Sequence, residues 1–291
     1  MRPFLLDEAE SVEQALELLS ADEDAHLIAG GTSVMVLMNL GLMEPSHLIS
    51  LRRVNQLRGI ATGADGGLEI KAMTTHRQLE TSPEVQRFCP ALAETFGEVA
   101  TVRIRNQGTI GGNLAHADPA QDPPPMLIAL DAEVVLKSAS RQRRVRLEEL
   151  STGYLTTVIQ PDEILTEIHV PPLAAGTRAT YIKFLPRTQD DYATVSVGAT
   201  LRTSGDRCED VRLALGGVAP TPLRTREVED ALRGQPLTDA TIASAASLVP
   251  DLVDPPDDAR GSAGYKRRMA RVWTERALRQ LREQSNAEVH R

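Results

Sequence analysis

Leu27-Ile28-Ala29-Gly30-Gly31-Thr32-Ser33 joins an apolar pair and a double glycine to a second apolar run, Val34-Met35-Val36-Leu37-Met38-Asn39-Leu40. Leu27 and Ile28 read as the end of a buried strand, and residues 34–40 as a short packed helix stopped by Gly41. A strand that passes through glycines into a helix leaves backbone N–H groups unpaired at the positive end of the helix dipole, which suits an anion. Glycine there lets the backbone come closer to a ligand than a Cβ would permit. Leu48-Ile49-Ser50-Leu51 supplies the next strand, so this part of the chain reads as a strand–helix–strand unit and a small parallel sheet. Upstream, Ser11-Val12-Glu13-Gln14 has the form of a capping box, and Val12, Ala15, Leu16 and Leu19 fall on one helix face.

The texture changes near Leu57. Ile60 and the pair Leu68, Ile70 flank Gly63-Ala64-Asp65-Gly66-Gly67, which reads as a hairpin. A helical region over 75–96, broken near Pro83 and Pro90, leads to a second glycine stretch, Thr109-Ile110-Gly111-Gly112-Asn113, followed by Asp118 and Asp122. After Pro123-Pro124-Pro125, residues 126–130 read as a short buried helix, and 133–137 with 143–147 as a second hairpin. Residues 163–170 alternate with period two, as a half-buried strand does, and end at Pro171-Pro172. Beyond that break, 179–185, 194–202 and 211–218 read as an antiparallel meander, followed by helices over 226–233, 239–248 and 264–283 and a frayed tail at 284–291. The breaks divide the chain into 1–55, 56–173 and 174–291.

A net charge of −8 argues against nucleic acid or an anionic membrane surface as the main partner. The two cysteines, Cys89 and Cys208, are too few for an iron–sulfur cluster, which commonly takes four, and read as free buried thiols. No pair among the six histidines has metal-ligand spacing, and His116 reads as a packing or hydrogen-bonding residue. The acidic N-terminus lacks a signal-peptide core, and the apolar window 27–43 is interrupted by Gly30, Gly31, Thr32, Ser33 and Asn39; the expectation is a cytoplasmic chain without a transmembrane segment. Neither a Gly-x-x-x-x-Gly-Lys loop nor a Gly-x-Gly-x-x-Gly fingerprint occurs, and His-Glu-x-x-His and Gly-x-Ser-x-Gly are also absent.

The longer run Arg103-Ile104-Arg105-Asn106-Gln107-Gly108 leads into the second glycine stretch, and Asp118-Pro119-Ala120-Gln121-Asp122 follows it. With the first glycine stretch ahead of it, this resembles the paired FAD-binding loops in the medium subunit of the molybdenum hydroxylases, the xanthine dehydrogenase and carbon monoxide dehydrogenase family. The resemblance covers nearly the whole chain, including Gly264-Tyr265-Lys266-Arg267. It implies a mixed α/β (α+β) fold: a bipartite FAD-binding domain of the vanillyl-alcohol oxidase type, then a C-terminal domain with a three-stranded antiparallel sheet and three helices. It also implies an electron-transfer role, with noncovalent FAD fed by two-iron, two-sulfur clusters on a small partner subunit. Molybdopterin belongs to a large partner subunit, and the final acceptor is NAD, a quinone or oxygen.

In that reading the pyrophosphate lies on the amides of Gly30, Gly31, Thr32 and Ser33, within the segment from Leu27, Ile28 and Ala29 to Val34. Thr109, Ile110, Gly111, Gly112 and Asn113 form the second loop. Asp122 is the acceptor expected for sugar or ribityl hydroxyls, with Asn113 second; Asp118 is a further candidate and equally a turn residue before Pro119. By the resemblance, Leu165 and Val99 match apolar positions beside the isoalloxazine, and Lys183 a cation near it; Lys183 also reads as a solvated strand lysine. Tyr192 falls in Arg187-Thr188-Gln189-Asp190-Asp191-Tyr192-Ala193, which matches a loop near the flavin, and also reads as a core tyrosine. No catalytic side chain is expected beyond the flavin. Two other readings stay open: a self-sufficient flavin oxidase or reductase of the same fold, and a flavin-free scaffold.

Overall fold

The computed structural model describes residues 2–186 and 191–289, with backbone alone over 286–289. The first layer is built from β1 (Leu5–Glu8), α1 (Val12–Ala21), β2 (Ala25–Ile28), α2 (Val34–Asn39) and β3 (His47–Ser50). Its sheet has the order β1-β3-β2, parallel throughout, with Leu6 opposite Leu48 and Leu27 opposite Ile49. Central β3 is buried along its length, and α1 lays Val12, Ala15, Leu16 and Leu19 against it. The Ser11 hydroxyl caps α1 through the Gln14 amide at 3.1 Å, while the Gln14 side chain reaches the Glu10 amide at 2.8 Å, one residue outside a closed box. Strand β1 was not expected, because exposed Leu5 and Leu6 run straight into Asp7 and Glu8 without alternation. It is held as an edge by His47, which bonds Asp7 at 2.9 Å and Asp22 at 3.1 Å.

The second layer begins with the predicted hairpin, β4 (Ile60–Thr62) and β5 (Leu68–Lys71), and the predicted helical region, α3 (His76–Thr81), α4 (Pro83–Phe88) and α5 (Pro90–Gly97). Next come α6 (Val102–Gln107), α7 (Ile110–His116) and α8 (Pro123–Ala129). The expected second loop is therefore corrected: Gly111 and Gly112 lie in the first turn of α7, with Thr109 as N-cap. All three prolines 123–125 belong to the first turn of α8, where a missing N–H costs nothing. Then follow β6 (Glu133–Lys137), β7 (Gln142–Arg146), α9 (Leu147–Leu150), the small hairpin β8 (Ser151–Gly153) with β9 (Thr156–Thr157), and β10 (Ile164–Val170). The antiparallel sheet has the order β4-β5-β10-β6-β7. The half-buried alternation expected for β10 is not observed: a register shift falls between Leu165 and Glu167, and Ile164 and Leu165 are both buried because they pack into two different cores. Met73 and Ile164 reach across into the core of the first layer.

The third layer is an antiparallel sheet of β11 (Arg178–Phe184), β12 (Val195–Ser204), β13 (Arg207–Gly216) and β14 (Leu223–Arg224), covered by α10 (Arg226–Leu232), α11 (Asp239–Ala246), α12 (Val249–Leu252) and α13 (Ala263–Val289). The expected three strands are thus four, and the three helices four, because β14 and α12 are too short to leave a periodic pattern. The tail expected to fray from 284 is helical to Val289. Cys89 and Cys208 are free and buried, and burial pushes both thiols up to about 11.

Layers two and three meet backbone to backbone. A Cβ at Gly198 on β12 would stand 2.5 Å from the carbonyl carbon and oxygen of Pro125 in α8. Nearby, Asp131 receives Arg212 at 2.7 Å and Arg224 at 2.8 Å from the third sheet. Because neither backbone can yield locally, Gly198→Ala is expected to cost roughly 1–3 kcal/mol, the usual penalty of overpacking. Chemical denaturation reads this as a lower midpoint, and an unchanged midpoint would show that the junction is slack.

Candidate functional site

The two glycine-bearing segments, far apart in sequence, close on each other. A Cβ at Gly30 would lie 2.0 Å from the Gln107 carbonyl oxygen, and one at Gly112 would lie 3.5 Å from the Ala29 Cβ. Gly108 faces the Thr32 hydroxyl in the same way, at 3.5 Å. Beside this seam runs a cavity of about 610 Å³, bounded by the β2–α2 segment, by α6 and α7, by β10 and by Tyr192. Its size is that of a small-molecule site, roughly 300–1,000 Å³.

The two segments present different chemistry to it. Among the described residues, the amides of Gly30, Gly31, Thr32 and Ser33 donate to no acceptor, although helical bonding starts at once with Met35 N–H to Gly31 O at 3.0 Å. Gly31 has φ +73°, a conformation that opens the turn and that a side chain would strain. The first amides of α7 are spent: Ile110 donates to Thr74 O at 3.0 Å, Gly111 to Ala72 O at 2.8 Å, and Gly112 to the Thr109 hydroxyl at 3.2 Å. Gly111 is required by packing, since its Cβ would meet the Ala72 Cβ at 2.6 Å. Only the first segment therefore offers an amide nest; the second supplies a floor and side chains.

Three cavity-lining side chains carry buried polar atoms without a partner among the described residues: Asn113 Oδ1, Gln121 Oε1 and His76 Nδ1. Burial, with the Arg105 charge nearby, drives His76 down to about 4, so it stands in the cavity as a neutral imidazole. Unpaired buried oxygens cost stability unless a donor reaches them, and a sugar or polyol chain carries such donors.

Asp122 lines the cavity from the start of α8 and is 4% exposed. Its carboxylate accepts from Tyr181 Oη at 2.7 Å and Lys183 Nζ at 3.1 Å, both on β11. Burial raises its pKa to about 6 against the opposing pull of Lys183. Lys183, whose side chain is 2% exposed, also donates to Glu98 O at 2.7 Å and is absent from the cavity wall. It is neither a solvated lysine nor a direct wall of the site; it stands behind Asp122.

Leu27, Ala29, Val34, Thr109, Val99, Leu165 and Tyr192 also line the cavity. Ile28 packs beneath Gly31, and Ile110 is core; neither faces the cavity. Asp118 is set apart as well, its carboxylate accepting the Ala120 amide at 2.9 Å in a turn. Arg187, Thr188, Gln189 and Asp190 lie outside the described residues. Sequence reasoning missed Arg105, which bonds Val99 O and Ala100 O, each at 3.0 Å, and holds Ala100 at φ +40° on the wall. It also missed Leu155 on the rim, a left-handed residue at φ +53°. An apolar pair at a hairpin tip, Tyr154-Leu155, was the available signal.

Free amides for an anion, buried acceptors for hydroxyls and an apolar wall at Val99 and Leu165 together fit the chemistry of a flavin dinucleotide. Residues 3–173 match the family described as the FAD binding domain in molybdopterin dehydrogenase, and residues 180–281 match the CO dehydrogenase flavoprotein C-terminal domain. The chain is 38% identical over 269 residues to the carbon monoxide dehydrogenase medium chain of Hydrogenophaga pseudoflava, covering 92% of this chain and 93% of that one. It is 34% identical over 273 residues to the glyceraldehyde dehydrogenase medium chain of Sulfolobus acidocaldarius, covering 94% and 96%. Among solved structures it is similar to carbon monoxide dehydrogenase from Hydrogenophaga pseudoflava, with TM-score 0.92, 39% identity and coverage of 96% and 98%. Quinoline 2-oxidoreductase from Pseudomonas putida 86 gives TM-score 0.92 at 31% identity, covering 98% of each chain. The chain thus belongs to the family of FAD-carrying medium subunits of the molybdenum hydroxylases and is a flavoprotein subunit of an oxidoreductase.

Proposed function

We propose that the cavity along the glycine seam holds one noncovalent FAD, whose pyrophosphate rests on the amides of Gly30, Gly31, Thr32 and Ser33. The observation that carries this placement is the set of four unengaged amides sharing one cavity with the orphaned oxygens of Asn113 and Gln121. Asp122, Asn113 and Gln121 accept from the hydroxyls of the sugar and ribityl parts. Val99 and Leu165 exclude water from an apolar wall. Arg105 holds the Val99–Ala100 backbone in place, and Lys183 acts through Asp122 and the Glu98 carbonyl rather than by contact.

Bound FAD supplies a group that takes up electrons singly and releases them singly or in pairs. We assign this chain the junction between iron–sulfur clusters on a small subunit, fed by molybdopterin chemistry on a large one, and an external acceptor that is NAD, a quinone or oxygen. The relatives support the reading, being named medium chains of dehydrogenases. Among the described residues no helix is long and apolar enough to cross a membrane, and a cytoplasmic location is part of the proposal. So is the three-part division at 55 and 173.

Purification of the chain with its natural partners, followed by flavin, iron and molybdenum analysis, tests the assignment. Flavin, iron and molybdenum in one complex are expected; a lone yellow protein that turns over an organic substrate would overturn it. Gly30→Ala drives a methyl into the Gln107 carbonyl and is expected to cost roughly 1–3 kcal/mol at the seam. FAD affinity then falls about tenfold or more, read by flavin fluorescence titration; unaltered affinity would move the pyrophosphate elsewhere. Asp122 accepts hydroxyl protons best when ionised, and its proton leaves at about 6. FAD affinity is therefore expected to rise as pH increases through about 6 and to level off above it. Asp122→Asn flattens that step and costs about 1–3 kcal/mol at neutral pH; a step that persists in the variant would acquit Asp122.

A further inference from the structure

We infer that Arg260 is a positioning residue that holds Tyr192 across the mouth of the cavity and so screens the bound flavin from small solutes, an inference that rests on the cofactor placement above. Tyr192 lines the cavity with a phenol ring and enters it from the third layer of the fold. The Arg260 guanidinium carbon stands 5.5 Å from the centre of its ring, within cation–π range. Arg260 Nε is buried and, among the described residues, has no hydrogen-bond partner, while Asp258 pairs with the other end of the guanidinium at 3.4 Å, so the ring packs beside a cation already held in place.

The guanidinium is not free to wander. Arg260 sits in a tight turn in which Asp258 and Gly261 exchange backbone bonds at 3.1 and 3.2 Å. Asp258 accepts the Arg260 amide at 2.8 Å and its Nη1 at 3.4 Å. The same carboxylate takes Lys266 Nζ at 2.6 Å, and that lysine, whose side chain is 2% exposed, also bonds Pro256 O at 3.1 Å. Lys266 belongs to the first turns of α13, so the longest helix of the chain anchors the turn, the turn aims Arg260, and Arg260 backs Tyr192. This gives the Tyr265-Lys266 segment a task at the cavity although neither residue lines it.

Hydroxyl-radical footprinting of the full chain, with exposed Tyr154 as internal reference, reads the position of Tyr192 without any flavin. Losing a cation–π hold of ordinary strength shifts the ratio of swung-out to closed ring by about five-fold. Arg260→Ala is expected to raise oxidation of Tyr192 relative to Tyr154 by that factor, Arg260→Gln to do the same, and Arg260→Lys to restore most of the protection. A ratio that stays at the wild-type value in both the alanine and the glutamine variants overturns the proposal. In the FAD-loaded chain, iodide quenching of flavin fluorescence at fixed ionic strength should rise in the same two variants; footprinting that rises without it would overturn the screening role. If added FAD fails to protect Tyr192 in the wild-type chain, the cofactor placement fails at the cavity mouth while the hold of Arg260 on the ring stands.

Discussion

Gly30 presses on the carbonyl of Gln107, and that contact sets the geometry of everything around the cavity. It welds the edge of the parallel sheet to the helical segment of the second layer without an intervening side chain. Once the two backbones are this close, the turn at Gly31 has to open away from the seam, and its amides are left facing a gap that none of the described residues fills. A methyl group at one α-carbon would wedge the seam open. The cavity is thus a by-product of close packing as much as a pocket in its own right.

The opposite side of the cavity is settled by electrostatics. Asp122 is buried beyond the point at which a lone carboxylate is tolerated, and the third layer answers with Tyr181 and Lys183 from one strand. Those two residues are an alternate pair on β11, so a single strand face both braces the carboxylate and, through Glu98 O, steadies the chain entering the Val99–Ala100 wall. The C-terminal layer therefore shapes a site to which it contributes little surface.

Much of this could be read from residues alone, and the failures have physical causes. The β2–α2 turn was legible because glycine and apolar periodicity coincide there. The α7 helix was not, since two adjacent glycines argue against a helix unless the packing asks for them, as Ala72 does at Gly111 and the capping Thr109 hydroxyl, 3.0 Å from a Cβ at Gly112, does less strongly. Strand β1 hid because an edge strand with acidic residues carries no alternation, and β14 because two residues hold no period. Direction was the hardest property to foresee: Lys183 and Asp118 sit on the right elements, yet one points behind the carboxylate and the other folds back on its own turn. Spacing along a chain says which face a residue occupies but not which neighbour claims its charge.

The contact of Gly198 with Pro125 has a consequence for a protein that passes electrons onward. Electron tunnelling weakens exponentially with distance, so a donor–acceptor gap that breathes would make the current erratic. Two layers joined main chain to main chain, with Asp131 clamped between Arg212 and Arg224, set α8, which begins at Asp122, and the strand that braces that carboxylate in one frame. Any adjustment needed to meet a docking partner is then left to surface side chains.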